Sequence, residues 1–410
     1  MARALDSRIP GVDSGRRGAL LVRYDEIGLK GGNRAHFERL LQQNLELALA
    51  GAPGLRVQRI RGRVLVRAQA DPEQLAQAAA RVFGIVSLSS AVETGRSLEE
   101  ILEAAVERAG RALREEFGGR EQVPFRVAAN RADKTFPHTS MEVERWLGGR
   151  LLEQFPQLAV DLARAQLKVE VDIRHEGVWV FAGRHAGPGG LPVGSMGRAL
   201  GLLSGGLDSP VAAWLAMRRG LRLELATFYS FPHVGPQFRE KALRIGAHLS
   251  RWLGRAILHV VPFAAAQEAI RDHCPESYRT VLYRRAMHRI AAQLGRRRRC
   301  YAVVTGECLG QVASQTLENL ALIEEASDLP VLRPLITYDK QEIIALARRI
   351  GTYELSTLPA PDSCTVFQPA APVIHGKLEE VRAAESALDL QTLTWAAIQG
   401  TERLYLPEHR

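Results

Sequence analysis

The sequence predicts a multidomain α/β protein: two small α+β modules, then a domain built on a parallel sheet with helices on both faces. Three observations predict it. The chain has 410 residues, more than one hydrophobic core ordinarily serves. Residues 183–197 read GRHAGPGGLPVGSMG, with six glycines and two prolines, which will hold neither a helix nor a central strand. Across that stretch the apolar pattern also changes, from short mixed elements to apolar strands alternating with long helices.

The elements follow in order. Residues 1–17 mix Arg3, Asp6, Arg8, Asp13, Arg16 and Arg17 with Gly and Pro. They lack the apolar centre of a signal peptide, and 1–18 is expected to be a flexible extension. Residues 20–24 and 64–66 read as strands, 33–49 and 98–117 as amphipathic helices. LKVEVDI at 167–173 alternates with a period of two, the mark of a half-buried strand. Beyond Gly197, strands are expected at 199–203, 223–228, 257–261 and 302–305, with helices at 237–253 and 278–294. Near-continuous apolar strands between helices imply a parallel sheet covered on both sides.

Composition limits the function. No apolar run approaches the roughly 20 residues of a membrane helix, so a cytoplasmic protein without a membrane partner is expected. The four cysteines at 274, 300, 308 and 364 include no Cys-x-x-Cys pair, which argues against a structural zinc site or a disulfide framework; no metal site is expected from them. A net charge of +9 and a pI of about 9.7 favour a polyanionic partner. Only six of the 54 basic residues are lysine, at 30, 134, 168, 241, 340 and 377, which makes each lysine worth locating.

Residues 199–209 read ALGLLSGGLDS: an apolar strand, a Ser-Gly-Gly turn, then a helix opening near Pro210. Glycines between strand and helix let backbone N–H groups approach an anion, and the helix N-terminus adds about half a positive charge. SGGLDS resembles the signature of the PP-loop ATP pyrophosphatases. That resemblance implies cleavage of ATP between the α- and β-phosphates, with Asp208 helping to hold Mg2+ and Ser204 and Ser209 donating to the pyrophosphate.

Three further segments, RYDEIGLKGGNR at 23–34, NRADKTFPHTSME at 130–142 and TGECLGQVASQT at 305–316, resemble the tRNA 4-thiouridine synthetases, the ThiI family, over about residues 20–380. The resemblance implies a ferredoxin-like domain at 19–76, a THUMP RNA-binding domain at 77–182, a linker at 183–197 and a PP-loop domain at 198–410. It implies ATP and Mg2+ as cofactors and tRNA as substrate, adenylated at uridine 8 and thiolated at O4. A cysteine desulfurase would supply persulfide. A thiamine-pathway sulfur-carrier protein and a homodimer are further implied partners. By the same resemblance the nucleotide pocket uses Leu202, Leu203, Ser204, Gly205, Gly206, Ser209, Thr227, Phe228, Arg284, Gly306 and Gln315. Gly306 would admit the nucleotide and Arg284 balance phosphate charge. Lys30, Arg34, Arg131 and Lys134 would form a tRNA track.

Asp208, Lys340 and Cys364 are the expected catalytic residues. Asp339-Lys340-Gln341-Glu342 reads as a capping box opening a helix that ends at Gly351. A lysine there faces the positive end of the helix dipole, which costs about 0.3–1 kcal/mol when exposed. A compact ammonium acting on a phosphate accounts for its retention. Cys364 lies in a turn-rich segment and matches the family's sulfur-handling cysteine; Cys274 is the candidate resolving thiol. No rhodanese domain is expected, since the sequence runs only to Arg410. Ser277 stands where a Cys-x-x-Cys pair with Cys274 would need its second thiol, which disfavours an iron–sulfur cluster. Two other readings stay open: a PP-loop ligase acting on a small metabolite, and a non-catalytic tRNA-binding protein with a nucleotide pocket.

Overall fold

The computed structural model describes residues 18–360 and 366–407. The expected extension, apart from Gly18, and Cys364 lie outside the described residues. The chain forms two compact units. One comprises residues up to Asp25, Leu45–Ala80 and Ile85–Gly187; the other comprises Glu26–Asn44, Arg81–Gly84 and everything from Pro188.

The first unit is a single nine-stranded sheet, although two α+β modules contribute to it. Its strands are β1 (Gly18–Arg23), β2 (Arg56–Ile60), β3 (Arg63–Arg67), β4 (Ser87–Thr94), β5 (Val123–Arg131), β6 (Leu158–Val160), β7 (Leu167–Arg174), β8 (Gly177–Ala182) and β9 (His185–Ala186). The order is β2-β3-β1-β4-β8-β7-β5-β6, with β9 also paired to β4. β4 and β8 run antiparallel, with Ala91 opposite Phe181, and join the halves. Helix α1 (Arg34–Ala48) falls mainly in the second unit, and α2 to α4 (Pro72–Ala79, Leu98–Glu115 and Ser140–Gln154) belong to the first. Ser97 and Thr139 open α3 and α4 with capping boxes, and Ile101, Leu113, Val143 and Leu147 bury the apolar faces of both helices against Phe125, Val169 and Val180.

The second unit carries the parallel sheet. Its strands are β10 (Arg198–Leu202), β11 (Arg222–Tyr229), β12 (Ala256–Pro262), β13 (Val303–Val304), β14 (Val331–Leu332) and β15 (Glu402–Leu406). Their order is β14-β13-β10-β11-β12-β15, with β15 antiparallel on the edge. The helices α5 to α9 are Asp208–Arg218, Pro236–Leu253, Ala264–His273, Arg279–Arg297 and Leu317–Glu325; α10 to α13 are Lys340–Ile350, Tyr353–Ser356, Leu378–Glu385 and Leu390–Gln399. The two-residue period sorts the strand side chains between two cores. Ala199, Leu223, Leu225 and Leu258 pack with α5, α6 and α10, while Leu200, Ala226, Phe228 and Val261 pack with α7, α8 and α13. Both faces are buried, which is why these strands read as apolar runs.

Two expectations change in detail. The helix after SGGLDS begins at Asp208, so Pro210 is its third residue, where a backbone N–H still has no intrahelical partner to lose. Most of the stretch expected to be a linker belongs instead to the second unit. Leu191 and Val193 are buried, and the Leu191 N–H donates to the Arg218 carbonyl at 2.9 Å. Gly190, at φ +75, passes so close that a Cβ there would sit 2.0 Å from the Arg218 oxygen; glycine serves close packing at this point rather than slackness.

One buried ion network ties α8 to α9 and α12. Arg285, 1% exposed, donates to Glu385 at 2.9 and 2.8 Å, to Glu325 at 2.7 Å, and to the Leu322 carbonyl. Arg289 adds a second cation on Glu385. Removing one member of such a network leaves an uncompensated buried charge, a loss of about 3–5 kcal/mol. Glu385→Ala should therefore lower thermal stability by that order, read in a calorimetric or circular-dichroism melt. An unchanged melting temperature would show that the network is not a stabilising element.

Candidate functional site

The chain leaves β10 for β11 and β12 on one side, then returns to β13 on β10's other side. That reversal opens a crevice beyond the carboxyl ends of β10 and β13, the place where open α/β sheets take ligands. A cavity of about 270 Å3 lies there, lined among others by Leu202, Leu203, Ser204, Gly206, Asp208, Ser209, Phe228, Arg284, Gly306 and Gln315. Of the expected nucleotide residues, Gly205 and Thr227 do not line it. Thr227 is fully buried with its hydroxyl unpaired. Phe238, Met287, His288, Thr305, Glu307, Gln311 and Val312 also line the cavity, and sequence reading missed them.

The phosphate-loop serines hold the turn closed. The Ser204 N–H donates to Ser209 Oγ at 2.9 Å, and the Gly206 N–H donates to Ser204 Oγ at 3.2 Å. Gly306 lines the cavity and has a packing role besides. A Cβ there would lie 2.6 Å from the Ser209 nitrogen and 2.8 Å from the Asp208 carbonyl carbon. What Gly306 admits is the first turn of α5, so the loop after β13 can press against the phosphate loop.

Asp208 and Lys340, 132 residues apart, meet at the cavity mouth. Lys340 Nζ donates to Asp208 Oδ1 at 2.9 Å. The Gln311 amide, turned to suit both, donates to Asp208 Oδ2 at 3.2 Å and accepts from Lys340 at 3.1 Å. The capping box that fixes Lys340 is present, with Asp339 accepting from the Glu342 N–H and Glu342 accepting from the Asp339 N–H.

Behind Arg284 lies an ionised carboxylate. Glu307, 4% exposed, accepts from Arg284 at 2.9 Å, Arg333 at 2.8 Å and Thr305 at 3.0 Å. Burial alone would raise its pKa; nearby cationic groups overcome this and hold it at about 2. Burial also pushes the neighbouring His288 down to about 4, opposed by Glu307. At neutral pH His288 is therefore uncharged, and Arg284 and Arg333 carry the compensation.

Buried Lys241 on α6 donates to the Leu358 carbonyl at 2.7 Å, just before the segment that holds Cys364. The described thiols lie elsewhere. Cys274 packs in the core, its Sγ 3.5 Å from the Ala384 carbonyl, and burial followed by Glu385 raises its pKa. Burial pushes Cys300 up to about 11 and also raises Cys308. None of the three lines the cavity.

The four expected RNA residues fall in both units. In the second, Lys30 pairs with Glu26 at 3.0 Å and Arg34 with Glu38 at 2.8 Å. Arg219 forks onto Glu26 at 2.9 and 3.0 Å, and with Lys30 it holds that carboxyl down at about 2. In the first, Arg131 ends β5 and bonds back to the carbonyls of Asp133 and Lys134, and Lys134 is exposed.

Comparison with known proteins matches this architecture throughout. Residues 194–390 fit the family model described as Thiamine biosynthesis protein (ThiI), 19–89 the ThiI ferredoxin-like domain and 95–182 the THUMP domain. A probable tRNA sulfurtransferase of Moorella thermoacetica is 43% identical over 386 residues, 94% of this chain and 97% of that protein. One from Geobacillus kaustophilus is 41% identical, covering 95% and 96%. Among solved structures, a 4-thiouridine synthetase–RNA complex with bound ATP superposes at a TM-score of 0.87 with 35% identity, covering 95% of this chain and all of that one.

The site geometry sets two expected outcomes. Gly306→Ala forces a methyl against the α5 backbone, so nucleotide affinity should fall at least about tenfold while circular dichroism stays native. An unchanged ATP titration would show that the contact yields without cost. His288 has a folded pKa of about 4 against an ordinary 6.5, so the unfolded chain takes up its proton first as pH falls. The stability this contributes is full above about 6.5 and is lost toward pH 4, on the order of 3 kcal/mol. His288→Leu should flatten the melting temperature across that window; an unaltered pH profile would place the acid sensitivity elsewhere.

Proposed function

Because the chain belongs to the ThiI family of tRNA sulfurtransferases, we propose that it adenylates uridine 8 of tRNA and replaces O4 with sulfur to give 4-thiouridine. The observation that carries this reading is the Asp208–Lys340 pair, braced by Gln311, at the mouth of a cavity walled by the SGGLDS turn. A half-exposed ammonium beside a helix N-terminus, with donor capacity left over from Asp208 and Gln311, is a place to bind and stabilise phosphate charge.

ATP occupies the cavity, with Arg284 toward the phosphates and its orientation fixed by Glu307. The uracil O4 attacks the α-phosphorus, the bond to the β-phosphate oxygen breaks, and pyrophosphate leaves. Lys340 balances the charge that gathers on the phosphoryl oxygens in that step. Mg2+, when bound, neutralises phosphate charge. Asp208 is the carboxylate that would hold it, since Glu307 is buried and already committed to two arginines. One carboxylate together with substrate phosphates and water suits Mg2+, and the described residues contain no cluster of three or more metal-binding side chains.

Adenylation turns O4 into a leaving group, and AMP departs when sulfur reaches C4. We assign sulfur delivery to a Cys364 persulfide loaded by a cysteine desulfurase. Its outer sulfur bonds to C4 as AMP leaves. A second thiol then attacks the Cys364 sulfur, breaking the sulfur–sulfur bond, so that 4-thiouridine is released and a protein disulfide is left. The buried contact of Cys274 with the Ala384 carbonyl means that a resolving role requires the end of α12 to open. In this reading the ferredoxin-like and THUMP segments hold tRNA through Lys30, Arg34, Arg131 and Lys134. Thiamine-pathway sulfur transfer through a carrier protein, a homodimeric state and a cytoplasmic setting complete the proposal. No helix of the described residues is long and apolar enough to cross a membrane.

Asp208→Ala and Lys340→Ala should each lower pyrophosphate release by about 10² or more and leave tRNA binding near normal. Lys340→Arg should rescue little, because a planar fork does not replace a point charge. Cys364→Ser should still release pyrophosphate yet give no 4-thiouridine from a persulfide donor, read by mass spectrometry of tRNA nucleosides. Wild-type turnover in Lys340→Ala, or wild-type thiolation in Cys364→Ser, refutes the respective assignment.

A further inference from the structure

The edge of the parallel sheet opposite the phosphate loop carries a second cavity, of about 440 Å3. It opens where β10, β11 and β12 begin, and Arg198, Arg222 and Arg255 line it, the first and last exposed and Arg222 half-buried. Arg198 at the start of β10 stands opposite Arg222 at the start of β11. β12 pairs with β11 through Leu225 opposite Leu258; three residues back along both strands, Arg255 falls opposite Arg222. Ala199, Leu223 and Ala256, the next residue on each strand, all turn to the α5–α6 core. The strand alternation therefore puts the three arginines together on the α8 side.

Adjacent strands lie about 4.8 Å apart, and like charges in facing positions repel. Among the described residues none of these three guanidiniums has an acidic partner. Burial, and next to it the charge of Arg198, lowers the pKa of Arg222. The single carboxylate in the cavity, Glu224, is already taken. Arg298 forks onto it at 2.7 and 3.0 Å, and fully buried His259 touches it at 2.7 Å. The C-terminus of α8 points here and contributes about half a negative charge, against three whole positive ones. Neither that dipole nor Glu224 accounts for the row.

We infer that this cavity is an anion site for a small organic diphosphate or triphosphate, distinct from the nucleotide pocket at the other edge of the sheet. Guanidinium forks match phosphate oxygens pairwise. A row about 10 Å long across three strands suits two or three linked phosphates better than one. Half-buried Ile257 and exposed Tyr405 and Pro407 also line the cavity, which gives the organic part of the ligand a surface to lie on. The site stands independently of the thiolation assignment, because none of its residues lines the nucleotide pocket.

The test is arginine-specific labelling of the full chain with phenylglyoxal, mapped by peptide mass spectrometry, with inorganic pyrophosphate and then ADP as probes. At saturating probe, labelling of Arg198, Arg222 and Arg255 should slow at least about tenfold, as one or two guanidinium–phosphate bonds imply, while Arg403 on β15 keeps its rate. Arg198→Gln/Arg222→Gln should thiolate tRNA as the wild type does but lose protection at Arg255; Arg198→Gln alone serves if the double variant folds poorly. Equal labelling rates with and without both probes overturn the proposal. So does protection by tRNA alone, which would make the row an RNA contact. Protection of Arg255 that survives in the double variant overturns it as well.

Discussion

The nucleotide pocket depends on one buried negative charge. Glu307 sits in the loop just after β13 with almost no access to water, where an unpaired carboxylate is not tolerable. Its partners come from three directions: Arg284 on α8, Arg333 after β14, and Thr305 in the same loop. Arg333 continues to Glu324 on α9. A hydrophobic contact in that place would tolerate a slide of α8 along the sheet. A set of charge-assisted hydrogen bonds with fixed fork geometry does not, so the depth at which Arg284 projects into the crevice is set by electrostatics.

Close packing sets the other wall. Gly306 lets the β13 loop touch the first turn of α5, which brings the phosphate loop, the strand end and the Glu307 network within one crevice. Lys340 arrives from far along the chain on a helix whose start is fixed by a reciprocal capping box. Its ammonium has three donors. Asp208 and Gln311 satisfy part of that capacity while the group stays about half exposed, free to turn toward a ligand. A guanidinium at the same position would hold a planar fork and could not share its donors in this way. In a chain that otherwise favours arginine, geometry explains the exception.

What the sequence revealed follows the range of the forces concerned. Strand alternation, amphipathic helices, the Ser-Gly-Gly turn and the Asp339 capping box are local, and their residues lie within one or two turns of each other, so they could be read. Much of the crevice wall could not. Glu307, Arg333 and His288 matter because the sheet order brings them together, and a Glu in TGECLG carries no local sign of burial. β15 escaped notice because ERLYL is short, opens on two charged residues and finds its place only as an edge strand beside β12. The glycines of 183–197 look like slack in the sequence, whereas Gly190 is there because the Arg218 carbonyl leaves no room for a side chain. The expected RNA residues show the same limit. A sequence displays Lys30 four residues after Glu26 but not Arg219, which comes from far along the chain to share that carboxylate.

Sulfur chemistry is constrained by the same burial that stabilises the fold. A thiol attacks only as thiolate, and a thiolate must be solvated or paired. Cys274, Cys300 and Cys308 are all buried, and burial raises each pKa. Neighbouring carboxylates add to the effect: Glu385 beside Cys274, Glu224 beside Cys300, Asp208 beside Cys308. Cys308 is the instructive case, because it lies near enough to feel both Asp208 and Lys340, and the two oppose each other. The pair that suits phosphate chemistry thus does little to ionise the nearest described thiol. Keeping the ammonium neutralised by Asp208 withholds from Cys308 the unshielded positive charge that a reactive cysteine needs. Adenylation and sulfur handling therefore make different electrostatic demands, and they are met best by residues on separate segments.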